Sequence, residues 1–176
     1  RNIGQADTIV LTELEHHSNL VPWQLLAQEK DADLEFVAID DQGRLNQESY
    51  EVLLRTKPKM VAFNAISNAL GTINPVRQMV DAAHAVGALV LVDAAQAVPH
   101  GHVDVQAWGA DFVVFSGHKV LGPTGSGALW ARRELLAPLA PTGMQTCGLV
   151  GNLTQEERRI GLCTDLRTAV LLYNLL

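Results

Sequence analysis

The feature that most constrains this chain is a repeated unit: a short apolar run that stops at a polar residue, then a stretch with helical spacing. Strands are predicted at Thr8 to Thr12, Leu34 to Ile39, Met60 to Ala65, Ala88 to Val92, Asp111 to Phe115 and Gly127 to Ala131. Strands alternating with amphipathic helices imply an α/β fold, a mostly parallel doubly wound sheet covered on both faces. Helices are expected over Asn19 to Lys30, entered through Pro22, over Asn46 to Thr56 after the turn Asp40-Asp41-Gln42-Gly43, and over Asn74 to Val86. In the last, Asn74-Pro75 reads as a cap and Gly87 as a stop, while Met79, Ala82, Ala83 and Val86 form a core-facing stripe. Pro138 and Pro141 bracket a composition change, and Thr154 to Leu176 can be drawn as a further helix with Thr154 and Glu157 as a capping box.

Bulk properties remove several classes of function. With 176 residues, 48% hydrophobic and 18% charged, the chain can bury the core of one globular domain. Its formal net charge of −6 comes without a basic run, so no nucleic acid partner is expected. The longest apolar run, Gly87 to Val92, stops at Asp93, far short of the ~20 residues that cross a bilayer. Cys147 and Cys163 lack CxxC or zinc-finger spacing, which points away from a metal site and toward a reducing, cytoplasmic setting. The opening Arg1-Asn2-Ile3-Gly4 has neither an initiator Met nor a secretory pattern, as expected of a segment internal to a longer reading frame.

The polar strand ends carry the chemistry. In open α/β sheets ligands bind outside the carboxyl ends of the strands, and here those ends read Thr12-Glu13, Asn64 to Asn68, Asp93 and Ser116 to Lys119. A lysine becomes a nucleophile toward a carbonyl when desolvation or a neighbouring cation lowers its pKa. Lys119 ends a strand beside His118 and could hold an aldehyde cofactor as a Schiff base. Asp93 could pair with a protonated pyridine nitrogen, Gln96 with a phenolate oxygen, and Ser116 and His118 with a phosphate, the set a pyridoxal phosphate site requires. His16 could stack on the ring and move protons. Each residue has a plainer role open to it: Lys119 as a solvated rim charge, Asp93 as a helix cap, and the His16-His17 pair as surface residues or half of a metal site. Met79 reads as core. Gly122-Pro123-Thr124-Gly125-Ser126-Gly127 matches neither GxxxxGK[ST] nor GxGxxG and reads as a tight turn into the next strand.

Four ordered motifs carry a family resemblance. They are Glu15-His16-His17-Ser18-Asn19 with Val21-Pro22-Trp23, Ser67-Asn68-Ala69-Leu70-Gly71, Asp93-Ala94-Ala95-Gln96-Ala97, and Phe115-Ser116-Gly117-His118-Lys119 with Gly122-Pro123-Thr124-Gly125. In order and spacing the stretch from Asp7 to Leu136 resembles the class V aminotransferase family, and within it the SufS/CsdA group of cysteine desulfurases. The resemblance implies the large domain of a fold-type I pyridoxal 5'-phosphate transferase, incomplete here, and usually a homodimer. It also implies removal of sulfur from L-cysteine to give L-alanine and a protein-bound persulfide, as in sulfur supply for iron–sulfur clusters. L-selenocysteine is an alternative substrate in the group, and a sulfur-acceptor protein a partner.

By that resemblance Lys119 matches the Schiff-base lysine, Asp93 the pyridine-nitrogen partner, Gln96 the phenolate contact and His16 the stacking histidine. Ser116 and His118 match phosphate contacts, and Asn68 matches a residue near the cofactor and the substrate carboxylate. The chain departs from the pattern in three places. The family's Thr-Thr phosphate segment would precede Arg1, its catalytic cysteine loop and nearby arginine are unmatched, and neither Cys147 nor Cys163 has the surroundings of the nucleophile. Residues 1–140 therefore read as a partial cofactor-binding domain and 141–176 as a divergent tail. A non-catalytic or dimerising remnant of the fold, or another class V lyase or epimerase, is the alternative.

Overall fold

The computed structural model describes residues 3–136 and the short strands Leu149–Val150 and Ile160–Cys163. In chain order the strands are β1 Thr8–Thr12, β2 Asp33–Val37, β3 Met60–Asn64, β4 Leu89–Asp93, β5 Phe112–Ser116, β6 Gly127–Ala131, β7 Leu149–Val150 and β8 Ile160–Cys163. The helices are α1 Val21–Lys30, α2 Gln47–Leu54, α3 Val76–Ala85, α4 Ala97–His100, α5 Val105–Trp108 and α6 Arg133–Leu136. Among the described residues one sheet forms in the order β2-β1-β3-β4-β5-β6-β8-β7. The strands from β2 to β5 run parallel, and β6 and β8 join by antiparallel pairing. This is the α/β fold of a fold-type I transferase large domain.

Alternate residues along the parallel strands feed two separate cores, because successive side chains point to opposite faces. Val10, Val61, Phe63, Val90, Val92 and Val113 pack with Tyr50 and Leu54 of α2 and with Met79, Val80 and Ala83 of α3. On the other face Ile9, Leu11, Met60, Ala62, Leu91, Phe112 and Val114 pack with Trp23, Leu26 and Ala27 of α1. The continuous apolar strand runs thus reflect burial on both sides. β2 is an edge strand, and its exposed Asp33 and Glu35 suit an edge that must not recruit another chain.

The expected strand positions hold to within one or two residues, with β1 and β6 matching at both ends. Helical structure near Asn19 begins as a 3-10 turn, His17–Asn19, and α1 proper follows with Pro22 in its first turn. Asn46 caps α2, accepting from Ser49 N at 3.0 Å. Asn74, expected as the cap of α3, serves elsewhere: its Nδ2 donates to Asn64 O at 2.7 Å and Asn64 Oδ1 at 3.1 Å, and Pro75 occupies the cap position. The helix drawn from Thr154 to Leu176 is overturned at Ile160–Cys163, which pairs antiparallel with β6 as strand; the rest of that span lies outside the described residues. Ile160-Gly161-Leu162-Cys163 supports this, since a glycine among apolar and β-branched residues is a weak helix former.

Tyr50 ties the helix layer together: its hydroxyl donates to Met79 O at 2.8 Å in a buried setting. Tyr50→Phe is expected to cost about 1 kcal/mol, the net worth of one hydrogen bond whose acceptor retains a helical partner, measured by urea unfolding.

Candidate active site

The parallel pairing brings the carboxyl ends of β1, β3, β4 and β5 to one edge of the sheet, and the chain order reverses between β1 and β3, the switch point where such sheets bind ligands. Asp93 is the last residue of β4 and lies in register with Asn64 at the end of β3 and Val114 of β5. Its carboxyl is 8% exposed. Burial raises its pKa; the Ala95 N–H, then the charges of Lys119 and His16, pull it back down. Among the described residues Ala95 N donates to Oδ1 at 2.8 Å, and no side-chain donor reaches Oδ2. A buried carboxylate with an open oxygen favours a cationic donor from a ligand.

His16 follows β1 and caps the 3-10 turn His17–Asn19. Its Nδ1 accepts from Ser18 N at 3.2 Å and lies 2.8 Å from Ser18 Oγ. A backbone N–H can only donate, so the neutral ring carries its proton on Nε2. Burial lowers the imidazole pKa, the charges of His17 and Lys119 lower it further, and Asp93 opposes them. Its ring centroid stands 4.0 Å from that of His17, tilted by 39°. The charges of Lys119 and Asp93 act on His16, and those of Lys119 and His16 act on Asp93, so the three groups lie near one another at this edge of the sheet.

Lys119 and His118 lie in the 3-10 turn Gly117–Val120 directly after Ser116, the last residue of β5; Lys119 is partly buried and His118 exposed. This turn is built on close backbone approach. Gly117 N donates to Ser126 O at 2.7 Å, Gly122 N to Gly117 O at 2.8 Å, and Ser126 Oγ to Pro123 O at 2.7 Å. A Cβ at Gly117 would sit 3.1 Å from both Ser126 Cβ and Ser126 O, so only glycine fits without moving the loop. The Gly122 to Gly127 stretch is the return into β6, as its lack of a phosphate-loop pattern implied. Gln96 stands at the N-cap of α4, three residues past Asp93, with its carbonyl 2.6 Å from His100 Nδ1. Asn68 is exposed in the turn after β3, held by bonds from Ala69 N and Leu70 N to Ser67 Oγ and from Gly71 N to Ser67 O. Among the candidates, then, His16 and Asp93 feel each other and the Lys119 charge, while Gln96, Ser116, His118 and Asn68 share the same sheet edge. Cys163 ends β8, and Cys147 lies outside the described residues.

Glu15, quoted in the sequence motif without a role, sits at the centre of a hydrogen-bond network beside these residues. Its carboxyl is partly buried and gathers four donors: Thr12 Oγ1 at 2.5 Å, Asn64 N at 3.0 Å and Asn64 Nδ2 at 3.2 Å on Oε1, and Asn19 Nδ2 at 2.6 Å on Oε2. Burial nevertheless outweighs these donors and raises its pKa to about 7, with Asp93 adding repulsion. The spacings Thr12 to Glu15 and Glu15 to Asn19, three and four residues, were the available signal.

The family profile of aminotransferase class V matches residues 1–157, and the chain belongs to that family. Within it the chain is 55% identical over 133 residues to a probable cysteine desulfurase of Streptomyces coelicolor, covering 76% of this chain and 32% of that protein. It is 50% identical over 141 residues to a cysteine desulfurase of Synechococcus elongatus, covering 80% of this chain and 22% of the relative. The fold superposes on the cysteine desulfurase CsdA of Escherichia coli with a TM-score of 0.76 at 32% identity, over 92% of this chain and 39% of that one. The chain thus spans about a third or less of the two sequence relatives' lengths.

Two outcomes are expected. Gly117→Ala must displace Ser126 and is expected to cost about 1–3 kcal/mol in urea unfolding, the usual penalty for overpacking. Glu15 is neutral when folded up to about pH 7 but ionises near 4.5 when unfolded, so its contribution falls as pH rises through that window. Glu15→Gln is expected to flatten the decline in stability between pH 5 and 8 by at most about 3 kcal/mol, less whatever solvent screening its partial exposure allows.

Proposed function

We propose that this chain is the cofactor-binding core of a pyridoxal 5'-phosphate-dependent cysteine desulfurase. The observation that carries the reading is the buried Asp93 carboxyl, with no side-chain donor to Oδ2 among the described residues, within electrostatic reach of Lys119 and His16 at the carboxyl edge of the sheet. Such a donor set fits the cofactor: an acid for the pyridine nitrogen, an amine for the aldehyde and an imidazole between them. When bound, the cofactor supplies an electron sink for carbanion chemistry at the amino acid.

The chain's own residues have separable tasks. Asp93 would hold the pyridine nitrogen in its protonated form, and its desolvated setting makes that ion pair strong. Lys119 Nζ would bear the aldehyde carbon. Gln96 would donate to the phenolate oxygen, Ser116 and His118 would bind phosphate, and Asn68 would face the substrate carboxylate. His16, with its proton on Nε2 and its pKa lowered, can stack as a neutral ring and donate a hydrogen bond from Nε2. The names of the relatives support L-cysteine as substrate, and passage of its sulfur as a persulfide to an acceptor protein is part of the same proposal. L-Selenocysteine as a second substrate, a homodimeric assembly, supply of iron–sulfur clusters, a cytoplasmic location and a domain boundary near residue 140 complete the proposal. Among the described residues no helix is long and apolar enough to cross a membrane.

Pyridoxal 5'-phosphate added to the purified chain is expected to give a visible absorbance that borohydride fixes on Lys119, located by mass spectrometry of the reduced peptide. The same adduct on a Lys119→Ala protein would sink the assignment. A sulfide-release assay with cysteine then separates a competent desulfurase from a core that binds cofactor alone.

A further inference from the structure

The polar network around Glu15 extends beyond any single contact. Asn19, which donates to Glu15 Oε2, accepts from Trp23 Nε1 at 3.0 Å. Asn64, which donates twice to Oε1, also donates to Leu14 O at 2.6 Å and receives Asn74 Nδ2 at both of its oxygens. Thr12 Oγ1 accepts from Leu14 N at 3.2 Å. The carboxylate thus joins the end of β1, the turn that begins at His16, the start of α1 and the end of β3. Asn64 is the register neighbour of Asp93, and Ala65 N donates to Asp93 O at 2.8 Å.

We infer that Glu15 is a positioning residue, which through Asn64 fixes the His16 turn against the strand pair that carries Asp93. The inference deepens the cofactor reading and rests on it. Once ionised, above about pH 7, the Glu15 carboxylate can accept from all four donors, whereas an amide would turn an NH2 toward a donor on one side. Asn64 N cannot reverse its role, and Asn19 cannot turn its amide without setting NH2 against the indole N–H of Trp23. Glutamine at 15 therefore keeps the shape and breaks the network. Two strand ends, a turn and a helix start then lose their common tie, and His16, the residue next in sequence, is released first.

Two readouts test this in the wild-type chain and in Glu15→Gln and Thr12→Val forms. The first is the His16 titration by NMR of labelled imidazole without cofactor, assigned with a His16→Asn protein. The second is the visible circular dichroism of added pyridoxal 5'-phosphate. In the wild type, burial and the His17 and Lys119 charges hold the His16 pKa below the ordinary imidazole value. In both variants it is expected to rise toward 6.5, while the visible dichroism falls at least about twofold. Thr12→Val leaves the Glu15 carboxyl in place, so the same rise in both variants separates positioning from a direct charge effect of residue 15.

A His16 titration that stays fixed or falls, with unchanged dichroism, overturns the inference. If His16 responds but the wild type shows no visible band, the positioning role stands and the cofactor reading falls. If a band forms and neither readout moves, the reverse holds. Should Glu15→Gln fail to fold, Thr12→Val, which keeps side-chain volume and removes one donor, decides by the same two signs.

Discussion

Parallel pairing of β3 with β4, which sets Asn64 beside Asp93, is the constraint on which the rest of the site depends. Parallel strands put like ends together, so every polar strand terminus from Thr12 to Ser116 falls on one edge. The two apolar cores hold that pairing in place from both faces. A slip of one residue would exchange the two faces and bury polar side chains, so register is strongly fixed. The depth of Asp93 follows from this: it completes a buried strand and inherits its dryness.

That dryness shapes the electrostatics. Burial raises the carboxyl pKa values of Asp93 and Glu15 and lowers that of the His16 imidazole, so each neutral form gains relative to water. The opposing charges inside the site work against those shifts, most directly Lys119 on Asp93. A second cluster at the opposite end of the sheet has a structural part. Asp111 receives Val90 N at 2.7 Å, stands 2.7 Å from His84 Nε2 and pairs with Arg132, tying α3 to the beginnings of β4 and β5.

Much of this was legible in residue pattern. The strands were visible because runs such as Met60-Val61-Ala62-Phe63 are too short for helices and end at polar residues. Lys119, Asp93 and His16 were visible as reactive types at strand ends. The four-residue helices α4 and α5 were missed because they are too short for periodicity, although Asp104, accepting from Gln106 N and Ala107 N, and Gly109 at φ 71° mark both ends of α5. Asn74 misled for a related reason: an Asn before Pro suits a cap, and a buried partner outcompeted that local role. The strand at Ile160–Cys163 was drawn as helix because pairing with β6 is a long-range interaction with no local signature.

The sequence by itself determined the layered α/β architecture, the sheet edge on which the candidate residues gather and the family, because these follow from local periodicity and from ordered motifs. Tertiary structure alone decided what the residues do to one another. Glu15 reaches Asn64 across 49 positions in the chain, and Asp93 feels Lys119 and His16 from two other strand ends. Hydrogen-bond partners, burial and charge proximity depend on distance in space, and only folding brings residues so far apart in the chain to within 3 Å.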